Sequence, residues 1–301
     1  MPARTIDTTP LSARPSRAAV AQLETDARAG DYGLATRDAA RADRRAGGCF
    51  AALVGGGIAF CLILSVPLSR DLANLPIVLG LLAADVVLWV VLVVVGRAVM
   101  RRRWRERARV VALAQANGLV VEPVAAPGEP PATWFALGRS GTTTDRVTWV
   151  QGTGSGQAPV EVATYGRTQV GPREQSCRYL VVRLASAGQD GPLLPRVALL
   201  AAGRTHAYRG TIEPPVIGTR SGVEVHGDPR DAAQLADGSP AGELVDAVAP
   251  HLVAAPALAA ELVGGDLVVY AFGTDHALDP ALWERFARIA DVATGAAVAG
   301  R

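Results

Sequence analysis

Residues 46–109 read AGGCFAALVGGGIAFCLILSVPLSRDLANLPIVLGLLAADVVLWVVLVVVGRAVMRRRWRERAR. Two apolar runs lie here, the first of them uncharged, separated by the short polar stretch Ser69–Asn74 and followed by a cluster of arginines. A helix needs about 20 mostly apolar residues to cross a hydrocarbon core. Both runs, 47–68 and 75–96, reach that length. In lipid the backbone must satisfy its own hydrogen bonds, so length outweighs the strand preference of the valines in Val86–Val95. The expectation is a helical transmembrane hairpin.

Arginine counts orient it. Arg37, Arg41, Arg44 and Arg45 precede the first run, and seven arginines follow the second between Arg97 and Arg109; the turn holds only Arg70. By the positive-inside bias, both termini are expected in the cytoplasm of a multi-pass plasma-membrane protein. Small residues recur every four positions in the first run, among them Gly55, Gly56 and Ala59, a spacing that lets helix backbones approach. Packing within the hairpin uses this pattern; homodimerisation is the other use. Asp85 is the one ionisable residue deep in a span. A charge there is costly, which points to a protonated or paired carboxyl, an ion-handling group, or a contact with another membrane protein.

The remaining composition sets limits. The chain has 301 residues and a net charge of +2, and all 30 of its basic residues are arginine. Two of its three cysteines, Cys49 and Cys61, fall in the first run and Cys177 stands alone, so neither a disulfide framework nor a CxxC metal site is indicated. Residues 1–46 are poor in large apolar side chains and are expected to form a disordered or partly helical leader, with short helices at Arg17–Ala29 and Leu34–Arg45. Residues 97–118 are expected to continue the second span as one helix ending at Gly118. Its collar of Arg101, Arg102, Arg103 and Arg105 suits anionic lipid headgroups. A nucleic-acid partner is not expected, because any cytoplasmic anchor carries such a collar.

Residues 119–301 read as an α+β domain. Val120–Val124 reads as a short apolar piece, and strands are expected at Thr133–Leu137, Arg146–Val150, Val160–Tyr165, Arg178–Leu184, Val197–Leu200, Val216–Ile217, Val223–His226 and Leu267–Phe272. Asp231–Leu235 reads as a short helix. A helix capped by Ser239 and opened by Pro240 is expected to end at Pro250, and a last helix is capped by Asp279 and opened by Pro280. Leu282, Phe286, Ile289 and Ala293 share one face of that last helix. Strands first and helices late give a mainly antiparallel sheet with C-terminal helices. A pleckstrin-homology-like barrel is the alternative shape.

Chemistry is sparse. The loop Gly152-Thr-Gly154-Ser155-Gly156 lacks the Lys-Ser/Thr of a phosphate loop and has the pattern of a hairpin connection. His206, His226, His251 and His276 show no metal-ligand spacing, and neither a metal nor a cofactor is expected. Trp134, Phe135, Trp149, Tyr165 and Tyr179 read as aromatic core.

The stretches Ala112–Gly118 (ALAQANG), Arg178–Leu184 (RYLVVRL) with Leu194–Pro195, Gly265–Phe272 and Asp279–Ala293 carry a resemblance. The chain resembles uncharacterised actinobacterial membrane proteins with two transmembrane helices and a cytoplasmic α+β domain. That resemblance implies the architecture and no activity. The functional expectation is a non-enzymatic binding domain held at the inner leaflet, with membrane lipids, a membrane-protein partner or a second copy as its partners. A membrane-bound enzyme and an accessory subunit of a larger complex are the alternatives.

Overall fold

The structure, a computed structural model, describes residues 5–43, 75–124, 132, 142–152, 156–167, 175–184, 194–202, 214–272 and 278–299. The first expected span, with Gly55, Gly56 and Ala59, lies outside these residues. So do the expected strand Thr133–Leu137, Gly154 and Ser155, and His206 and His276. The chain divides into two compact units, one of Met1–Arg14 with Arg109–Arg301 and one of Pro15–Ala108. The helix expected to end at Gly118 stops at Ala116, and the larger unit includes its last turns from Arg109.

The smaller unit is helical where it is described. Helix α2 (Arg17–Ala29) starts at Ser16, whose hydroxyl accepts from the Ala19 amide at 3.0 Å, and stops at Gly30 in the left-handed region. Helix α3 occupies residues 34–43. Both lie where the sequence predicts short helices. Helix α4 (Leu75–Ala116) spans 42 residues without a break. Its stretch Ala83–Ala116 is the one helix among the described residues long and apolar enough to cross a membrane. Val86, Val87, Leu88, Val90, Val91, Leu92, Val94 and Val95 are all exposed, so the helix is apolar on every side. Trp104 is buried below them, with the Arg107 guanidinium over its ring at 4.8 Å and Asp43 3.8 Å from Arg107 Nη1.

The larger unit is α+β. Among the described residues, nine antiparallel strands form one sheet in the order β1-β2-β3-β4-β9-β8-β5-β7-β6. They are β1 (Val120–Val124), β2 (Thr142–Gln151), β3 (Ala158–Arg167), β4 (Gln175–Arg183), β5 (Val197–Ala201), β6 (Val216–Arg220), β7 (Val223–Gly227), β8 (Leu258–Val263) and β9 (Asp266–Phe272). Among the described residues β1 and β6 are the unpaired edges of an open sheet, which replaces the barrel alternative. Strand β8, LAAELV, has no counterpart in the sequence reading. Its alanines favour helix, but the Gly264–Gly265 turn, both residues at positive φ, folds it back against β9.

Both sheet faces are buried, and the side chains alternate between them. Val160, Val162, Leu180, Val182, Val269 and Leu199 join α5 (Pro240–Val253) and α6 (Pro280–Ala299) in the main core. Leu282, Phe286, Ile289 and Ala293 of α6 are buried in it, as their spacing predicts. Tyr165, Cys177, Tyr179, Val181, Val268 and Tyr270 form a second cluster on the opposite face. Helix α5 passes through Pro250 to Val253, a correction of the expected stop. So near the C-terminus proline removes one amide donor while the last turn still closes, and Ala254 N donates to Pro250 O at 3.1 Å.

The N-terminal segment belongs to this unit. Ile6 and Leu11, the latter on α1 (Thr9–Ser12), lie in the same cluster as Val110, Leu113, Ala114 and Phe286. Asn117 fixes the segment reciprocally: its Oδ1 accepts from Asp7 N at 2.7 Å and its Nδ2 donates to Asp7 O at 3.0 Å. Helix α4 ends beneath it in a Schellman arrangement, with Leu119 N bonded to Ala114 O and Gly118 at φ +63°. Leu11 is 1% exposed. Leu11→Ala is expected to cost about 2–4 kcal/mol, read as a lower denaturation midpoint of the detergent-solubilised protein by tryptophan fluorescence. An unchanged midpoint would show that the segment contributes nothing to the core.

Candidate functional site

Strand register brings the polar groups of the second face together. Glu161 (β3), Val181 (β4), Val268 (β9), Glu261 (β8), Ala198 (β5) and His226 (β7) stand opposite one another in a single row. In the next row Tyr179 and Tyr270 are paired across β4 and β9. Each tyrosine reaches diagonally to a glutamate on its outer neighbour. Tyr179 OH donates to Glu161 Oε1 at 2.7 Å, and Tyr270 OH to Glu261 Oε1 at 2.9 Å. Hairpins β3–β4 and β8–β9 thus carry the same Glu–Tyr device in mirror order about the β4–β9 seam.

The two halves differ in their surroundings. Glu161 lies among arginines: Arg146 Nε is 3.4 Å from one oxygen and Arg183 Nη2 4.0 Å from the other. Burial, reinforced by the Glu161 charge, pushes the Tyr179 hydroxyl well above its usual range, so it stays a donor. Burial also raises the Asp266 carboxyl, against the opposing effect of Arg183, 3.8 Å away. Glu261, 2% exposed, instead lines a cavity of about 590 Å³ with Ala198, His226, Arg196, Asp228 and Asp231. That size suits a small molecule. His226 is 6% exposed. Its Nδ1 lies 3.1 Å from Pro214 O and its Nε2 3.5 Å from Glu224 Oε2.

A second buried ionic group lies on the main-core face. Arg178 is 1% exposed, donates through Nη1 to Thr164 Oγ1 at 2.7 Å, and stacks 4.6 Å from the Trp283 ring. Burial pushes its guanidinium down to about 10, against the opposing charge of Asp145. Asp145 sits at φ +52° where β2 bulges between Thr144 and Val147. The stack anchors the first turn of α6 to the sheet centre. Away from both clusters, Arg220 grips Asp246 with two bonds of 2.8 and 2.6 Å, pinning the β6–β7 hairpin to α5.

The residues singled out from sequence are dispersed. Asp85 is half-buried on α4, and its Oδ2 has no hydrogen-bond partner among the described residues. Arg101, Arg102, Arg103 and Arg105 are all exposed, Arg102 bonding to Glu106 at 2.8 Å. Trp149, Tyr165 and Tyr179 are buried on strands, while Trp134 and Phe135 lie outside the described residues. Gly152 turns at φ +88° just beyond β2, in the connection to β3. His251 is on α5, where burial and then Arg285 and Arg288 lower its basicity. Among the described residues, no three metal-ligating side chains gather.

Sequence reasoning missed Glu261 together with its strand, and gave His226 no role. The Gly264–Gly265 turn between two apolar runs was the available signal for both strand and register. Compared with family models, curated proteins and solved structures, the chain matches none. Tyr270→Phe removes the hydroxyl that holds Glu261. It is expected to cost about 1.5–3 kcal/mol, the range for hydrogen bonds to charged groups, seen as a lowered urea midpoint with secondary structure retained by circular dichroism. No shift would mean that the hydroxyl contributes nothing to stability.

Proposed function

We propose that this protein is a non-enzymatic binding module anchored at the cytoplasmic leaflet by two membrane spans, 47–68 and 75–96. The observation that carries the reading is the shared core of Ile6, Leu11, Val110, Leu113 and Phe286. Segments that pack in one core lie on one side of any membrane. The chain between Arg14 and Arg109 must therefore cross an even number of times. If Leu75–Gly96 spans, a second crossing is required, and the uncharged run 47–68 is long enough to supply it.

The exposure of residues 86–95 on every side of α4 supports a lipid surrounding, since a helix apolar all round has to be buried in something. Arg101, Arg102, Arg103 and Arg105, all exposed beyond its apolar part, support attachment to anionic headgroups on the cytoplasmic side. Asp85 is read as a carboxyl packed within the membrane or against a membrane-protein partner. The kinship with two-span actinobacterial membrane proteins forms part of the same proposal.

Fluorescent-protein fusions before residue 5 and after residue 301, and alkaline phosphatase inserted at Asp71, test the topology. Both fluorescent fusions are expected to be bright and the phosphatase active; one dark fusion or an inactive phosphatase overturns the reading. Replacing Arg101, Arg102 and Arg103 with Gln is expected to weaken retention of phosphatidylglycerol in native mass spectrometry. At about 1 kcal/mol per arginine, the triple variant loses on the order of a hundredfold in lipid affinity. Equal retention sinks the lipid role.

A further inference from the structure

Helix α4 has a shielded side and an open one. Asp85, Trp89, Val93 and Met100 are half-buried and Trp104 and Ala108 buried, so one stripe of the helix is covered. Away from that stripe Val87, Val91, Val94, Ala98, Arg101 and Arg105 are all exposed. They recur at alternating steps of four and three residues, which keeps them on one face. The open face is therefore apolar up to Ala98 and cationic beyond it, with the exposed Arg97 at the border.

The arginines of this stretch differ in what holds them. Arg102 donates to Glu106 at 2.8 Å, and Arg107 stacks on Trp104 with Asp43 3.8 Å away. Glu106 and Asp43 are thus engaged. Among the described residues Arg97, Arg101 and Arg105 form neither an ion pair nor a hydrogen bond. They stand four residues apart, so each neighbouring pair sets like charges at helical contact spacing, an unfavourable arrangement. An anion seated between two guanidiniums replaces that repulsion by two attractions. Three rungs make two gaps, and four residues of helix rise about 6 Å, so the gaps are centred about 6 Å apart.

We propose that this face of α4 binds an anionic lipid carrying two phosphates joined through a polyol. One phosphate sits between Arg97 and Arg101 and the other between Arg101 and Arg105, with the acyl chains along Val87, Val91, Val94 and Ala98. A single phosphate fills one gap and leaves the other cationic. A diphosphate, whose phosphorus atoms share one oxygen, holds its charges closer together than the gaps. A polyol linker, glycerol in cardiolipin or inositol in phosphatidylinositol 4-phosphate, sets them apart. The inference rests on the reading of residues 75–96 as a membrane span and names the lipid that its arginines prefer.

The test titrates the full-length protein in detergent micelles with one lipid at a time and reads bound lipid by native mass spectrometry. The lipids are cardiolipin, phosphatidylinositol 4-phosphate, phosphatidylglycerol and phosphatidic acid. A two-phosphate lipid is expected to bind about fivefold tighter than phosphatidylglycerol, the worth of one more arginine at a membrane surface. Whichever of the two binds tighter identifies the polyol. Phosphatidic acid concentrates its charge on one phosphate and is expected to bind more weakly than the two-phosphate lipid.

Arg105→Gln is expected to bring the two-phosphate lipid down to the phosphatidylglycerol level. Arg103→Gln, on the opposite side of the helix, should weaken all the lipids alike and keep their ratio. Both side chains are exposed, so neither change disturbs the core. Equal binding of one- and two-phosphate lipids overturns the proposal. So does phosphatidic acid matching the two-phosphate lipid, or Arg103→Gln removing the preference as fully as Arg105→Gln, since either means that net charge alone is read. Failure to retain any lipid overturns the lipid role and this inference together; retention without preference overturns this inference alone.

Discussion

One hydrophobic core holds two parts of the chain that lie on either side of its most apolar segment. Ile6 and Leu11 share one buried cluster with Val110, Leu113 and Ala114 from the far end of α4 and Phe286 from the last helix. The Asp7–Asn117 bonds fix the approach, and the Schellman turn at Gly118 redirects the chain into β1. Whatever the segment from Pro15 to Ala108 does, it has to return the chain to the core it left. That is a stronger restriction on topology than arginine counting, because it follows from connectivity and burial. Arginine counting then supplies only the sign, which side the core occupies.

The sheet sets the chemistry through register. Because strand side chains alternate, pairing Val181 with Val268 places Glu161, Glu261 and His226 in one row on one face. A slip of one residue in any ladder would turn that strand's members of the row toward α5 and α6 and expose apolar groups in exchange. The duplicated Glu–Tyr pairs therefore need no special loop to position them. What distinguishes the halves is what reaches the carboxylate: arginines from β2 and β4 at Glu161, a cavity at Glu261.

Much of this was legible. The final helix was marked by Asp279, Pro280 and its apolar stripe, and α5 by Ser239 and Pro240; strong local signals needed no tertiary context. Strands β2, β3, β4, β5 and β9 were visible as β-branched runs between turns. Strand β8 was not, since LAAELV carries helix-favouring residues and becomes a strand only through its pairing with β5 and β9. The site followed β8 into obscurity: Glu261 and His226 are 35 positions apart in sequence and meet only through β5. Ile6 and Leu11 were equally opaque. A ten-residue segment with two large apolar side chains cannot be told from a solvated leader until its partner surface is known.

The same closure bears on how the protein is made. Thr8 and Glu284, hydrogen-bonded at 3.4 Å, are 276 residues apart. At about 5–20 residues per second, the ribosome takes roughly 15–55 s to cover that interval. Helix α4 leaves the exit tunnel long before β9, and β4 waits at the sheet centre for a strand nearly ninety positions later in the chain. Throughout this period the apolar faces of β3 and β4 lack α6, and the N-terminal segment has no surface to dock on. The larger unit completes its core only after α6 has been made, by non-local pairing of the slow kind. Its nascent chain, with half a sheet exposed, is the stage most prone to aggregation and most in need of a holding chaperone.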